Sequence, residues 1–172
     1  QTGNLAITLG TNDIAWAFIA RIPTGGGTIT YGFAEGSRTT APTSGTAYTV
    51  TLTNGASAPN IASGDVVVWA MTIPTDILAG AGFSAHTITS TGTTFGTVTE
   101  INEASSATGN DIGGYAAWVS ATSGSSTAAP TIGATATGTV TNVRGPIVLL
   151  RIRELVPVTG DTTETATSTD AS

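Results

Sequence analysis

Residues 108–121 read TGNDIGGYAAWVSA, an Asn-Asp pair leading into a run that carries one of the chain's three tryptophans. The arrangement recurs as TNDIAWAFIA from Thr11 and as SGDVVVWAMTI from Ser63. Asn and Asp favour turns because their side chains bond nearby backbone amides, whereas aromatic and β-branched residues favour strands. Each copy therefore reads as a turn feeding a strand, and Asp13, Asp65 and Asp111 are turn residues on this reading. Alternate residues of a strand face opposite sides. In the first copy Ile14, Trp16, Phe18, Ala20 and Ile22 share one face, and Ala15, Ala17, Ile19 and Arg21 the other. In the second, Val67, Trp69, Met71 and Ile73 oppose Val66, Val68, Ala70 and Thr72; in the third, Tyr115, Ala117 and Val119 oppose Gly114, Ala116 and Trp118. A sheet with one wet face alternates apolar with polar. These strands do not, so cover is expected on both faces, from a second sheet, a loop or another subunit.

Outward from these three runs, helical periodicity is scarce and short β-rich stretches alternate with Gly, Ser, Thr, Pro and Asn. Strands are expected at residues 4–8, 13–22, 28–34, 47–53, 65–73, 85–89, 95–101, 114–121, 131–137 and 139–155, the last broken at Gly145-Pro146, with room for one helical turn at 75–82. The fold class is all-β: an antiparallel two-sheet β-sandwich of jelly-roll-like type with about ten strands. Its expected organisation is an N-terminal arm (1–22), a flexible joint PTGGG (23–27), a sandwich body (28–155) and an acidic, Thr-rich tail (156–172).

Composition narrows the function. Charged residues make up 9% of the 172, against a typical ~25%, so hydroxyls must supply solubility. The basic residues are Arg21, Arg38, Arg144, Arg151 and Arg153, and the net charge of -6 disfavours nucleic acid and anionic membranes as partners. No apolar run approaches the ~18 residues of a spanning helix. With no cysteine, thiol catalysis, disulfides and Cys-based metal sites are absent.

Motifs of catalysis are missing too: there is no G-x-S-x-G elbow, no phosphate loop and no dinucleotide fingerprint. His86, the single imidazole, reads as a strand residue on the parity of Ser84 and Ile88. No enzyme activity and no cofactor are expected. Asn110, Asp111, Glu100 and Glu103 are the weak candidates for a divalent-cation site, though no spaced loop of oxygen ligands surrounds them. Glu100 and Glu103 are also the one pair that invites a glycoside-hydrolase reading, but nothing else supports it, and solvated strand-end charges are the favoured account. Candidate interface residues are Ala15, Ala17 and Ile19 on the arm, Arg144, Arg151 and Arg153 near the closing strand, and Asp161 and Glu164 on the tail. The arginines read either as charges guarding an edge strand or as a patch for an acidic partner, such as a neighbouring copy's tail. The tryptophans read as core residues, with a sugar-stacking platform as the alternative.

From SGDVVVWAMTI through the YAAW strand to GPIVLLRIREL, residues 63–155 resemble the β-sandwich domains of structural proteins in tailed bacteriophages. The resemblance implies a head decoration (cement) or appendage role on a virion surface, contacting a major capsid protein or copies of itself. The Thr-rich acidic tail and the lack of lysine depart from that pattern. They leave open an extracellular filament subunit joined by strand exchange, and a carbohydrate-binding module with a glycan partner. The expectation is a non-enzymatic assembly protein that contacts neighbours through strand faces and terminal arms.

Overall fold

A computed structural model of the chain describes residues 27–37, 47–52, 59–74, 83–105, 112–136 and 146–155. They contain no helix. The strands are β1 (Thr28–Ser37), β2 (Ala47–Thr51), β3 (Ile61–Ala62), β4 (Val66–Pro74), β5 (Phe83–Thr89), β6 (Thr93–Phe95), β7 (Thr99–Ser105), β8 (Ile112–Ser126), β9 (Thr131–Ala136) and β10 (Pro146–Leu155). All pair antiparallel. A seven-stranded sheet runs β1-β10-β4-β8, with β3, β6 and β7 also on β8, and a three-stranded sheet runs β2-β9-β5. The fold is all-β, as the turn-then-strand units require.

Several boundaries differ from those read in the sequence. The run expected at 95–101 is two strands, β6 and β7, separated at residues 96–98. β8 continues past Ala121 through TSGSS, a stretch whose composition signals a turn. It stays extended because Ala121, Ser123 and Gly124 pair with β6 while Ser125 and Ser126 pair with β3, and most of this extension is wet, so no apolar alternation marks it. The short β3 has no signature in the sequence. The expected strands at 4–8 and 13–22, the helical turn at 75–82, the arm and the tail lie outside the described residues.

Between the sheets lies the core. β4 contributes Val67, Trp69 and Met71, β8 contributes Tyr115, Ala117, Val119 and Ala121, and β10 contributes Ile147 and Leu149. The small sheet answers with Val50, Ile132, Ala134, Phe83 and Ile88. Burying one such aliphatic or aromatic side chain contributes about 1.5–3 kcal/mol. The indole Nε1–H of Trp69 donates to the Tyr115 hydroxyl at 3.2 Å, which satisfies the polar atom of the largest buried side chain.

The opposite face of the seven-stranded sheet is apolar as well. Pairing registers align Phe33 with Leu150, Leu150 with Val68, and Val68 with Trp118, a single row crossing four strands. At ~4.8 Å between strands this row spans about 14 Å. Neighbouring rows place Tyr31 beside Ile152 and Val148 beside Ala70. Tyr31, Phe33, Val148 and Trp118 are exposed. The small sheet thus covers one face of the strands expected to be covered on both; on the other, Val68, Ala116 and Ile152 are buried while Tyr31, Phe33, Val148 and Trp118 stand exposed.

Candidate functional site

Three features collect the chain's chemistry. The first is the turn between β3 and β4. Gly64 adopts φ +89°, and the Asp65 amide donates to the Ala62 carbonyl at 3.0 Å, closing a tight reversal. Asp65 is fully buried; its Oδ2 accepts the Ala62 amide at 2.8 Å, the local bond expected of a turn aspartate. From β10, Arg153 donates Nε to Oδ1 at 2.6 Å and Nη2 to Oδ2 at 2.8 Å, and Nη2 also reaches the Asn60 carbonyl at 3.2 Å. This two-pronged pair raises the Arg153 pKa above its ordinary value, chiefly through the hydrogen bond to Asp65, with burial opposing.

Arg151 and Arg153 therefore do not guard an edge. β10 lies between β1 and β4, and Arg153 is committed to an internal acid. Arg151, two residues earlier on the same face, makes a long bond from Nη1 to Thr30 Oγ1 at 3.4 Å, and its buried Nε has no partner among the described residues.

The second feature is a cluster where β5 meets β7. A register irregularity between Ser84 and Thr87 and a positive φ of 50° at Ala85 put a bulge into β5. A bulge re-aims the side chains beyond it. Phe83 and Ile88 both face the core although their spacing violates simple alternation, and His86 turns onto the Tyr115 ring with centroids 4.5 Å apart. His86 keeps the expected alternation with Ile88, both facing inward, and the bulge takes only Ser84 out of it. His86 Nε2 lies 2.6 Å from Glu100 Oε2, and Glu103 Oε2 accepts the Phe83 amide at 2.6 Å. The carboxylate must accept, so Nε2 carries the proton. Glu100 and Glu103 thus each tie β7 to β5. An open trough of about 530 Å³ runs past His86, Ile88, Phe95 and Val98. Among the described residues no group of three His, Asp or Glu side chains is spaced to hold a metal ion.

The third feature is the apolar outer row. Trp69 is a core residue, but Trp118 is 38% exposed, which corrects its assignment to the core. It stands on the outer face beside Thr99, with Val68 on its other side. Ala15, Ala17, Ile19, Asn110, Asp111, Arg144, Asp161 and Glu164 lie outside the described residues. Sequence reading missed the Asp65–Arg153 ion pair and the His86–Glu100 hydrogen bond because their partners are distant in the chain; an aspartate in a Gly-Asp turn before a fully apolar strand was the one local hint of burial. A scan against protein-family models, a search of curated proteins and a search of solved structures all returned no match.

Proposed function

We propose that this chain is a non-enzymatic structural subunit that assembles through the outer face of its seven-stranded sheet. The observation that carries the reading is the row Phe33, Leu150, Val68 and Trp118, in register across four strands and bearing exposed aromatic rings at both ends. Scattered surface apolar residues need no explanation, but Tyr31, Phe33 and Val148 are exposed together on adjoining rows of β1 and β10, with Trp118 exposed beyond buried Val68, and grouped apolar exposure of this kind marks a contact surface. Aromatic anchors are the groups that dominate such contacts. The likeness of residues 63–155 to phage structural domains supports a virion surface as the setting, with a capsid protein or further copies as partners.

Light scattering over a range of concentrations, on the chain and on a Phe33→Ser/Trp118→Ser variant, tests the reading. Association of the parent that the variant lacks, with unchanged circular dichroism, is the expected result. A capsid lattice is the second partner to offer if the parent is monomeric. If parent and variant behave alike alone and with capsids, the face is not the contact, and glycan binding at Trp118 beside Thr99 becomes the reading to test.

A further inference from the structure

We infer that the trough between β5 and β6 receives an extended segment of a neighbouring copy of this chain, which pairs with the backbone edges on its two sides. Ser90 and Thr93 bridge across a tight turn, where the Thr93 amide donates to the Ser90 carbonyl at 3.2 Å. Beyond that bridge the two strands part. β5 joins β9 in the three-stranded sheet, and β6 joins β8 in the seven-stranded one. The trough of about 530 Å³ occupies the wedge left between them.

Strand edges form its walls. A hollow over a sheet face touches alternate residues of a strand, because successive side chains point to opposite sides. This trough touches every residue from His86 to Ser90 and from Thr93 to Gly96. Among the described residues β5 pairs along its length with β9 alone, and β6 with β8 alone, so each leaves one edge open. Proline and lysine, the usual guards of an open edge, are absent from both strands. Peptide groups on such an edge call for donors and acceptors in alternation, and an extended polypeptide supplies both. The two strands run antiparallel at the bridge, so one added strand would lie parallel to one of them and antiparallel to the other.

Length and lining define the occupant further. From His86 to Ser90 the wall is about 13 Å long at ~3.3 Å per residue, room for about five extended residues. Its far end meets β7, where His86 Nε2 lies 2.6 Å from Glu100 Oε2. Ile88, Phe95 and Val98 bring the margin of the core to the trough, so alternate side chains of the occupant meet an apolar floor. His86 is the one titratable side chain in the lining, and nothing there matches a carboxylate or a guanidinium. An uncharged segment therefore fits. A chain with only 9% charged residues offers such segments to its own copies, which favours a second copy over an acidic or basic partner. The trough is a different surface from the Phe33–Trp118 row, although its filling by a neighbour rests on the same assembly reading.

Light scattering combined with hydrogen exchange, on the full chain from low to high concentration, tests the contact. Self-association should slow exchange about tenfold or more at amides of residues 87–89 and 93–95 that do not bond β9 or β8. Thr94→Trp puts bulk on the trough wall at an exposed position. It should raise the dissociation constant about tenfold or more and remove that protection, with circular dichroism unchanged. If the tryptophan disturbs the fold, Thr87→Lys, exposed on the opposite wall, should have the same two effects. Association and trough protection that persist in Phe33→Ser/Trp118→Ser would support the trough contact and overturn the outer-face reading. Association of the parent with unchanged exchange at both strands, or a Thr94→Trp chain that associates like the parent, would overturn the trough contact and leave the outer face standing. A parent that stays monomeric at every concentration would overturn a second copy as the occupant, while the outer face is still tested on capsids.

Discussion

The Asp65 carboxylate, shut off from water, is gripped by Nε and Nη2 of Arg153 at 2.6 and 2.8 Å across 88 residues of chain. A buried charge is tolerable when paired and costly when alone. Arg153→Met should therefore destabilise the fold by about 3 kcal/mol or more, because it leaves Asp65 charged and unpaired. Asp65→Asn should cost a similar amount. The Asp65→Asn/Arg153→Met double variant should lose clearly less than the sum, since it removes both charges and keeps a side-chain oxygen for the Ala62 amide. Urea midpoints for the four proteins give the coupling directly; additive losses would refute it. Since the Arg153 pKa is raised, its protonated form and the stability it brings persist below the ordinary guanidinium range. Arg153 itself should add no pH dependence between neutral pH and pH 10.

The fate of Asp65 also shows how much the sequence could tell. Its turn role was readable, because Ser-Gly-Asp before an apolar strand is a local pattern. So were the all-β class and the shared core face of Val67, Trp69 and Met71, which follow from period-two spacing. The guanidinium that neutralises Asp65 was not readable, because it comes from a strand brought near by sheet order, and sheet order has no local signal. The expected alternation of Ser84 with His86 fails for a different reason: the bulge at Ala85 resets parity between them while His86 and Ile88 stay in step, and nothing in FSAHTIT announces a bulge. Trp118 was assigned to the core because its strand is apolar on both faces, and only the position of the second sheet decides which face is covered.

Two glycines with the same backbone sign should respond differently to alanine. Gly64 has φ +89° with open space around its missing Cβ, so Gly64→Ala bears mainly the left-handed strain of about 1–2 kcal/mol. Gly124 has φ +80°, and a Cβ there would run into the Gly92 carbonyl oxygen where β6 crosses β8. Gly124→Ala should therefore cost distinctly more than Gly64→Ala and weaken the β6–β8 pairing. Thermal melts order the two; equal losses would mean that the Gly92 carbonyl ahead of β6 yields freely.

Within the core, Tyr115→Phe deletes the acceptor of the Trp69 indole N–H while changing volume little. A buried donor left without its partner costs about 1–3 kcal/mol. Trp69→Phe removes the donor too but opens a cavity, so it should cost more, in the ~3 kcal/mol range of large-to-small core changes. Chemical denaturation of both variants checks the order. A Tyr115→Phe protein as stable as the parent would show that the indole finds another acceptor.

The bulge and the clasp on β5 act together, and the single histidine reports on both. Ala85 holds φ 50°, a region that a β-branched residue strongly avoids. Ala85→Val should flatten the bulge or destabilise the fold by about 1–2 kcal/mol. Ala85→Gly should stay near the parent, because relief of strain and the greater freedom of the unfolded glycine chain oppose each other at about 0.5–1 kcal/mol each. His86 sits 4.5 Å from the Tyr115 ring, so its imidazole carbon protons should carry ring-current shifts that no other residue can mimic in a chain with one histidine. Glu100→Ala removes the carboxylate 2.6 Å from Nε2 and should move those resonances toward unstructured values, while Glu100→Gln, which keeps an acceptor oxygen, should preserve most of the shift. If Glu100→Ala leaves the His86 signals in place, packing on Tyr115 and the Ala85 bulge hold the ring without the Glu100 hydrogen bond, and β7 is joined to β5 through Glu103 instead.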